Sequence, residues 1–258
     1  MTKPLRVVQV SDSHLSRDVA SCAHRVKVDQ SLSSVIALIR EEQLATDLFL
    51  VTGDLSQDGS VESYRRFFEQ LMVFKKPIYG LPGNHDVVDV MRSVAPNPLH
   101  ISPCSLDQKG WRIILLNSWS GQRYGELSDD QLCFLDHALQ GSVAAGSYHC
   151  MVCLHHHPVP LNSAWLDREG LKNAYRFFEV LDRYDHVRAV VWGHVHQGFH
   201  GWRREVALFA APSTCYQFKP ECRECKVDDL APGYRWFDLY RNGRIESAVS
   251  RVRTGVLG

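Results

Sequence analysis

The chain has 258 residues and a formal net charge of zero, with 29 Lys+Arg against 29 Asp+Glu. Forty-five percent of it is hydrophobic, which supplies a sizeable core, and a single domain over residues 1–258 is the expected organisation. Binding to a polyanion leaves a basic footprint, so the balanced charge argues against a nucleic-acid partner.

No apolar run approaches the roughly 20 residues of a membrane span. The opening stretch MTKPLRVVQVSDSHL has no long apolar segment before a small-residue cleavage site. A cytoplasmic chain with no signal peptide and no membrane span is therefore expected.

In chain order, Leu5–Val10 reads as a buried strand, and it runs into Asp12-Ser13-His14. Residues 29–42 read as a helix, with Leu32, Val35, Ile36 and Ile39 at helical spacing. A second buried strand, 47–52, ends in Gly53-Asp54. Residues 61–74 are amphipathic, with Tyr64, Phe67, Phe68 and Leu71 on one side. A short strand at 77–81 leads into Pro82-Gly83-Asn84-His85-Asp86. A tight turn accounts for the first three of those residues but gives no reason for the histidine and aspartate.

Residues 111–117 read as a strand and 129–139 as a helix capped by Ser128. The strand at 150–154 ends in three consecutive histidines, 155–157. A helix at 173–184 precedes the strand Val187–Trp192, which ends in Gly193-His194-Val195-His196. A further strand is expected at 207–211 and a long loop at 219–232. Residues 234–241 and 244–252 flank Asn242-Gly243, the strongest type I′ signal, and predict a hairpin.

The eight cysteines include two C-x-x-C pairs, Cys150/Cys153 and Cys222/Cys225. Odd spacing on a strand puts Cys150 and Cys153 on opposite faces, so the four are not expected to converge on a structural zinc. Reduced thiols are expected instead.

The five strand ends share one chemistry: each delivers Asp, Asn or His. Sites in open α/β sheets form beyond the carboxyl ends of strands. Imidazoles with carboxylates suit first-row metal ions, and seven candidate donors exceed what one tetrahedral ion takes. Two ions about 3.5–4 Å apart fit that number better.

With DSH, GDLSQDG, GNHD, HHHP and GHVH in this order, the chain resembles the calcineurin-like metallophosphoesterases from Val7 to about Val252. The resemblance implies an α/β fold, a β-sandwich flanked by helices in α/β/β/α layers. It implies one metal on Asp12, His14 and His196, a second on Asn84, His155 and His194, and Asp54 bridging them. It also implies that His85 contacts the phosphate and acts as a catalytic residue, oriented by Asp86. Substrate would lie against His14, Asp54, Asn84, His85 and His196. Of the three consecutive histidines, His155 is the implied ligand, with His156 and His157 in support.

The blocks SAWLD with LKNA, APSTCYQFKP and DLAPGYRWFDLYRNG further resemble the bacterial class III 3′,5′-cyclic AMP phosphodiesterases. That likeness implies a binuclear enzyme holding Fe, Mn or Zn and hydrolysing cyclic AMP to 5′-AMP, with the 3′-oxygen leaving. The alternatives are a phosphoesterase for another small substrate (a 2′,3′-cyclic nucleotide, a glycerophosphodiester, a phosphomonoester or a nucleoside-diphosphate lipid) and a non-catalytic scaffold.

Overall fold

A computed structural model describes residues 3–43, 45–142, 146 and 148–253. The single-domain expectation for 1–258 also takes in 1–2, 44, 143–145, 147 and 254–258, which lie outside the described residues. The first half alternates strand and helix: β1 (Leu5–Val10), the short pair β2 (Cys22–Ala23) and β3 (Val26–Lys27), α1 (Val28–Glu42), β4 (Leu48–Thr52), α2 (Val61–Met72), β5 (Ile78–Leu81) and α3 (Val88–Val94). There follow β6 (Cys104–Gln108), β7 (Trp111–Leu115), α4 (Asp129–Gln140), β8 (His149–Cys153), α5 (Ala174–Leu181) and β9 (Val187–Trp192). The last part is all strand: β10 (Phe199–Arg203), β11 (Val206–Ala210), β12 (Gln217–Phe218), β13 (Val227–Asp228), β14 (Gly233–Leu239) and β15 (Ile245–Arg251).

Two sheets result, one in the order β15-β14-β1-β4-β5 and one in the order β10-β11-β9-β8-β7-β6. β1, β4 and β5 run parallel, as do β7, β8, β9 and β11. Parallel neighbours need long crossovers, and α1, α2, α4 and α5 lie in those crossovers. Both faces of such strands are covered, which is why they read as unbroken apolar runs.

Alternation along each strand divides the core into three layers. Leu5, Val7, Leu48 and Leu50 meet Ile113, Met151, Ala189 and Val191 between the sheets. Val8, Val10, Phe49 and Val51 face outward onto Leu32, Ile36, Tyr64 and Phe67 of the first two long helices. Ile114, Val152 and Val190 face Leu135, Leu139, Phe177 and Leu181 on the other side. The expected α/β/β/α sandwich is the fold observed. Cys150 and Cys153 are both buried, one under the helices and one between the sheets, as the odd spacing predicted.

Some boundaries and one turn differ from expectation. The expected helix at 173–184 is confined to Ala174–Leu181. The strands Cys104–Gln108 and Phe199–Arg203 and the helix Val88–Val94 were not legible in the sequence. Both strands sit at edges and alternate half-buried with exposed residues, so polar and small residues break their apolar pattern. The 219–232 loop carries a two-residue strand, Val227–Asp228, paired to Gln217–Phe218. The hairpin forms, but its turn is not type I′. Only Gly243 of the Asn242-Gly243 pair has a positive φ, and Gly243 N–H donates to the Tyr240 carbonyl. The glycine follows the turn in the left-handed region instead of closing it.

Candidate metal centre and active site

The carboxyl ends of β1, β4 and β5 in one sheet meet those of β8 and β9 in the other. Backbone hydrogen bonds lock the loops together: Asp12 N–H to Gly53 O at 3.0 Å, His14 N–H to Asp54 O at 2.9 Å and Gly193 N–H to His155 O at 3.2 Å. The Gln9 amide ties the sheets at this rim, donating to Thr52 Oγ1 and to the Trp192 carbonyl. Close approach needs glycine here. A Cβ on Gly83 would lie 2.1 Å from Asp54 Oδ1, and one on Gly193 would lie 2.2 Å from Ser11 Oγ.

Five of the seven expected ligands occupy the left-handed region: Asp12 at φ 55°, His14 at 51°, Asp54 at 51°, His194 at 66° and His196 at 48°. That conformation costs an L-residue about 1–2 kcal/mol. Such strain concentrates at functional sites, where surrounding structure over-determines it.

All seven side chains converge. His14 Nε2 lies 3.0 Å from His196 Nε2 and 3.9 Å from Asp54 Oδ2. His155 Nε2 lies 3.3 Å from Asp54 Oδ2 and 3.3 Å from Asn84 Oδ1. His196 Nε2 lies 3.6 Å from Asp12 Oδ1. His194 accepts no stray role: its backbone N–H donates to Asp12 Oδ1 at 2.9 Å, and its Nε2 is buried with no hydrogen-bond partner. Within 4.8 Å of one another stand the donor atoms of Asp12/His14/His196, of Asp12/Asp54/His155, of His14/Asp54/His85 and of His155/His156/His194. His156 thus comes within ligand distance too. Its Nδ1 is bonded to Ser118 Oγ at 2.8 Å and its Nε2 is unpartnered.

The hydrogen bonds on the far nitrogens fix which lone pairs face inward. His155 Nδ1–H donates to the Thr52 carbonyl at 2.7 Å and His196 Nδ1–H to the Tyr216 carbonyl at 2.8 Å. His14 Nδ1 meets Gln57 Oε1 at 2.8 Å. A carbonyl has no proton to give, so each ring carries a proton on Nδ1; His14 and His196 turn an Nε2 lone pair to the cluster, and His155 does so once its Nε2 proton is lost. Two such lone pairs 3.0 Å apart, on His14 and His196, repel unless a cation lies against both. This donor set therefore fits metal ions, and fixing the far nitrogen is how metal-ligating histidines are oriented.

The electrostatics agree. Burial holds His14 down to about 4 and keeps His194 and His196 well below the usual imidazole range, so all three are neutral at pH 7. Burial pushes Asp12 up to about 7. Burial acts to raise Asp54 as well, but His155 beside it holds the carboxyl well below its ordinary value. Asp54 in turn outweighs desolvation at His155 and raises it to about 9. A metal ion taking His155 Nε2 displaces that proton.

His85 stands at the exposed lip, its ring 5.1 Å from that of His14. Its Nδ1 meets Gln57 Nε2 at 3.1 Å. The amide nitrogen donates, so the neutral His85 ring keeps its proton on Nε2. The expected bond from Asp86 to His85 is not formed. The buried Asp86 carboxylate accepts instead from Gly83 N at 2.8 Å, Leu55 N and Ser56 N at 3.1 Å, and the Tyr64 hydroxyl at 3.0 Å. It braces two ligand loops against each other, because three backbone N–H groups in those tight loops have no other acceptor nearby. Gln57 holds His85, a role that a lone glutamine in a polar turn did not advertise.

His14, Asp54, Asn84, His85, His194 and His196 line one small cleft of about 60 Å³, completed by Trp165, Leu166, Glu169, Tyr216 and Phe218. Asp12 and His155 lie beneath it. The expected substrate-binding residues therefore share one surface. A hollow of about 780 Å³ lies by Arg188 and Trp202, at the start of β9 instead of its end, and holds none of the expected residues.

The comparisons with known proteins point the same way. Residues 5–198 match the calcineurin-like phosphoesterase family profile. The chain is 37% identical over 253 residues to the 3′,5′-cyclic adenosine monophosphate phosphodiesterase CpdA of Vibrio vulnificus, covering 97% of this chain and 91% of that one. It is 40% identical over 247 residues to the protein of the same name from Pseudomonas aeruginosa, covering 95% and 89%. Among solved structures, a dimetal phosphatase from Danio rerio superposes with a TM-score of 0.73 at 14% identity, covering 98% of this chain and all of the other. A purple acid phosphatase from Lupinus luteus gives 0.70 at 11% identity, over 99% of this chain and 52% of the other.

Proposed function

Because this chain belongs to the calcineurin-like phosphoesterase family, we propose that it is a binuclear-metal phosphodiesterase hydrolysing 3′,5′-cyclic AMP to 5′-AMP. The observation that carries this is the inward-facing set of Nε2 and carboxylate donors at one rim, in a chain whose CpdA relatives align over nearly its whole length. Asp12, His14 and His196 would hold one ion, Asn84, His155 and His194 the other, and Asp54 would serve both. Iron, manganese and zinc all suit imidazole with carboxylate. When bound, such ions supply Lewis-acid stabilisation of the phosphoryl oxygens and lower the pKa of water.

The remaining steps rest on the protein. His85 stands at the lip of the cleft, and the tautomer set by its hydrogen bond to Gln57 carries the N–H on Nε2. It donates a hydrogen bond to the phosphodiester; to protonate the 3′-oxygen as the P–O bond breaks, the ring enters the step as imidazolium and leaves it as neutral imidazole. Asp86 and Tyr64 hold the loop from which His85 projects.

No helix among the described residues is long and apolar enough to cross a membrane. We further propose a cytoplasmic enzyme, a single domain spanning 1–258, acting on a small cyclic nucleotide and not on nucleic acid. The test is a product assay on metal-loaded protein with 3′,5′-cyclic AMP, a 2′,3′-cyclic nucleotide, a glycerophosphodiester and an aryl phosphodiester. Release of 5′-AMP is expected. Turnover of the aryl diester without any 5′-AMP from cyclic AMP would remove the substrate assignment and leave the hydrolase.

A further inference from the structure

The cleft beside the ligand cluster has room for about 60 Å³, far below the roughly 300–1,000 Å³ of sites that enclose a drug-sized ligand. It admits the phosphodiester and little more. A nucleoside attached to that phosphate must lie across the rim. Three half-buried aromatic rings form the rim: Trp165, Tyr216 and Phe218.

The three are not equivalent. Tyr216 is committed to the ligands, its ring packed on His14 at 5.7 Å and on His196 at 4.7 Å, and its carbonyl on His196 Nδ1. Phe218 stacks on His196 at 4.4 Å and 27°. Trp165 makes no ring contact with a metal-ligand candidate. It meets Phe218 edge to face, 4.8 Å apart at 80°. The two rings form a corner in which a flat ring stacked on one has its edge against the other. The indole Nε1–H of Trp165 is buried with no acceptor. Its burial keeps that N–H out of a ligand's reach, so what the corner offers a base is ring surface.

The corner is also rigid before any ligand arrives. Asp167 N–H donates to Ser163 O at 2.8 Å, and Asp167 Oδ1 accepts from Leu161 N at 2.8 Å. Leu166, next to Trp165, is fully buried. Phe218 N–H reaches the His196 carbonyl at 3.4 Å. A preformed aromatic wall loses little freedom when a ligand stacks on it.

We propose that Trp165 and Phe218 are the base-recognition corner of this site, holding the base by stacking against their rings. The proposal rests on the cyclic-nucleotide reading above and adds the residues that hold the base. Base stacking on an aromatic side chain is worth roughly tenfold or more in affinity.

The test compares two product-like ligands on metal-loaded protein by calorimetry: 5′-AMP, and ribose 5-phosphate, which lacks the base. Wild type is expected to bind 5′-AMP at least about tenfold tighter. In Trp165→Ala the two affinities should converge through weaker 5′-AMP binding, with metal content unchanged. Trp165→Phe, which keeps a smaller stacking face, should recover part of the preference. Equal affinity in wild type, or an equal loss for both ligands in Trp165→Ala, overturns the proposal and makes the corner a mere cover for the ligands. Failure to release 5′-AMP from cyclic AMP sinks the substrate reading instead, and does so in a separate measurement.

Discussion

His85 faces the cleft alone while Gln57 bonds both His14 and His85, so their substitutions have separable signatures. His85→Ala is expected to keep both metals and lose roughly a hundredfold in kcat, with little change in KM. The loss should shrink for a diester with a nitrophenolate leaving group if His85 protonates the departing oxygen. An equal loss for both leaving groups would make it an electrostatic donor, and loss of metal would place it among the ligands. Gln57→Leu removes the acceptor for His14 Nδ1 and the donor for His85 Nδ1 together. Metal affinity should fall about 10–100-fold, as when a ligand's outer partner is removed, and kcat should fall as well. Retention of both would show that neither ring depends on the amide. Asp54→Ala is expected to abolish turnover and lower metal content, read by elemental analysis; two ions per chain with near-normal rate would refute a shared carboxylate. All seven ligand candidates were legible because each follows an apolar run directly. Gln57 and Trp165 were not, since their importance lies in partners 43 and 53 residues distant, His14 and Phe218.

The strands and helices that carry the site were legible for a related reason: parallel strands buried on both faces read as continuous apolar runs. Edge strands such as Phe199–Arg203 have one bare flank, and their His200, Gly201 and Trp202 give no periodic pattern. The turn after β5 shows what an element demands of one side chain. Asp86→Ala would strand the N–H groups of Gly83, Leu55 and Ser56 in a buried loop. At about 1 kcal/mol or more for each lost partner, destabilisation should reach roughly 3 kcal/mol, a fall on the order of 10 °C in Tm for a chain this long. Asp86→Asn keeps one acceptor oxygen and should lose distinctly less. Equal melting of Asp86→Ala and wild type in a thermal scan would contradict the bracing role.

For the molecule as a whole, the cluster draws Asp12, His14, Asp54 and Asn84 from one sheet and His155, His194 and His196 from the other. Ions bound there link the two layers and relieve the repulsion between facing Nε2 lone pairs. Chelation is therefore expected to lower Tm, by the equivalent of about 4 kcal/mol where free metal stands a thousandfold above Kd. An unchanged melt after verified metal loss would show that the sandwich does not feel its ions. Cys222→Ser with Cys225→Ser should leave metal content and activity nearly unchanged, because no cysteine joins a cluster of donors among the described residues. Loss of one tightly held zinc in that double variant would reveal a site of another kind.

The sheet order sets a timetable. β1, which supplies Asp12 and His14, lies between β4 and β14. Its second neighbour, Gly233–Leu239, is synthesised more than 200 residues after it. A growing chain emerges from its N-terminus, so β1 waits with one flank bare through most of translation. His194 and His196 also arrive late. Capture of the ions thus belongs to the nearly complete polypeptide, and a ribosome stalled before residue 194 would display all four donors from one sheet and only His155 from the other.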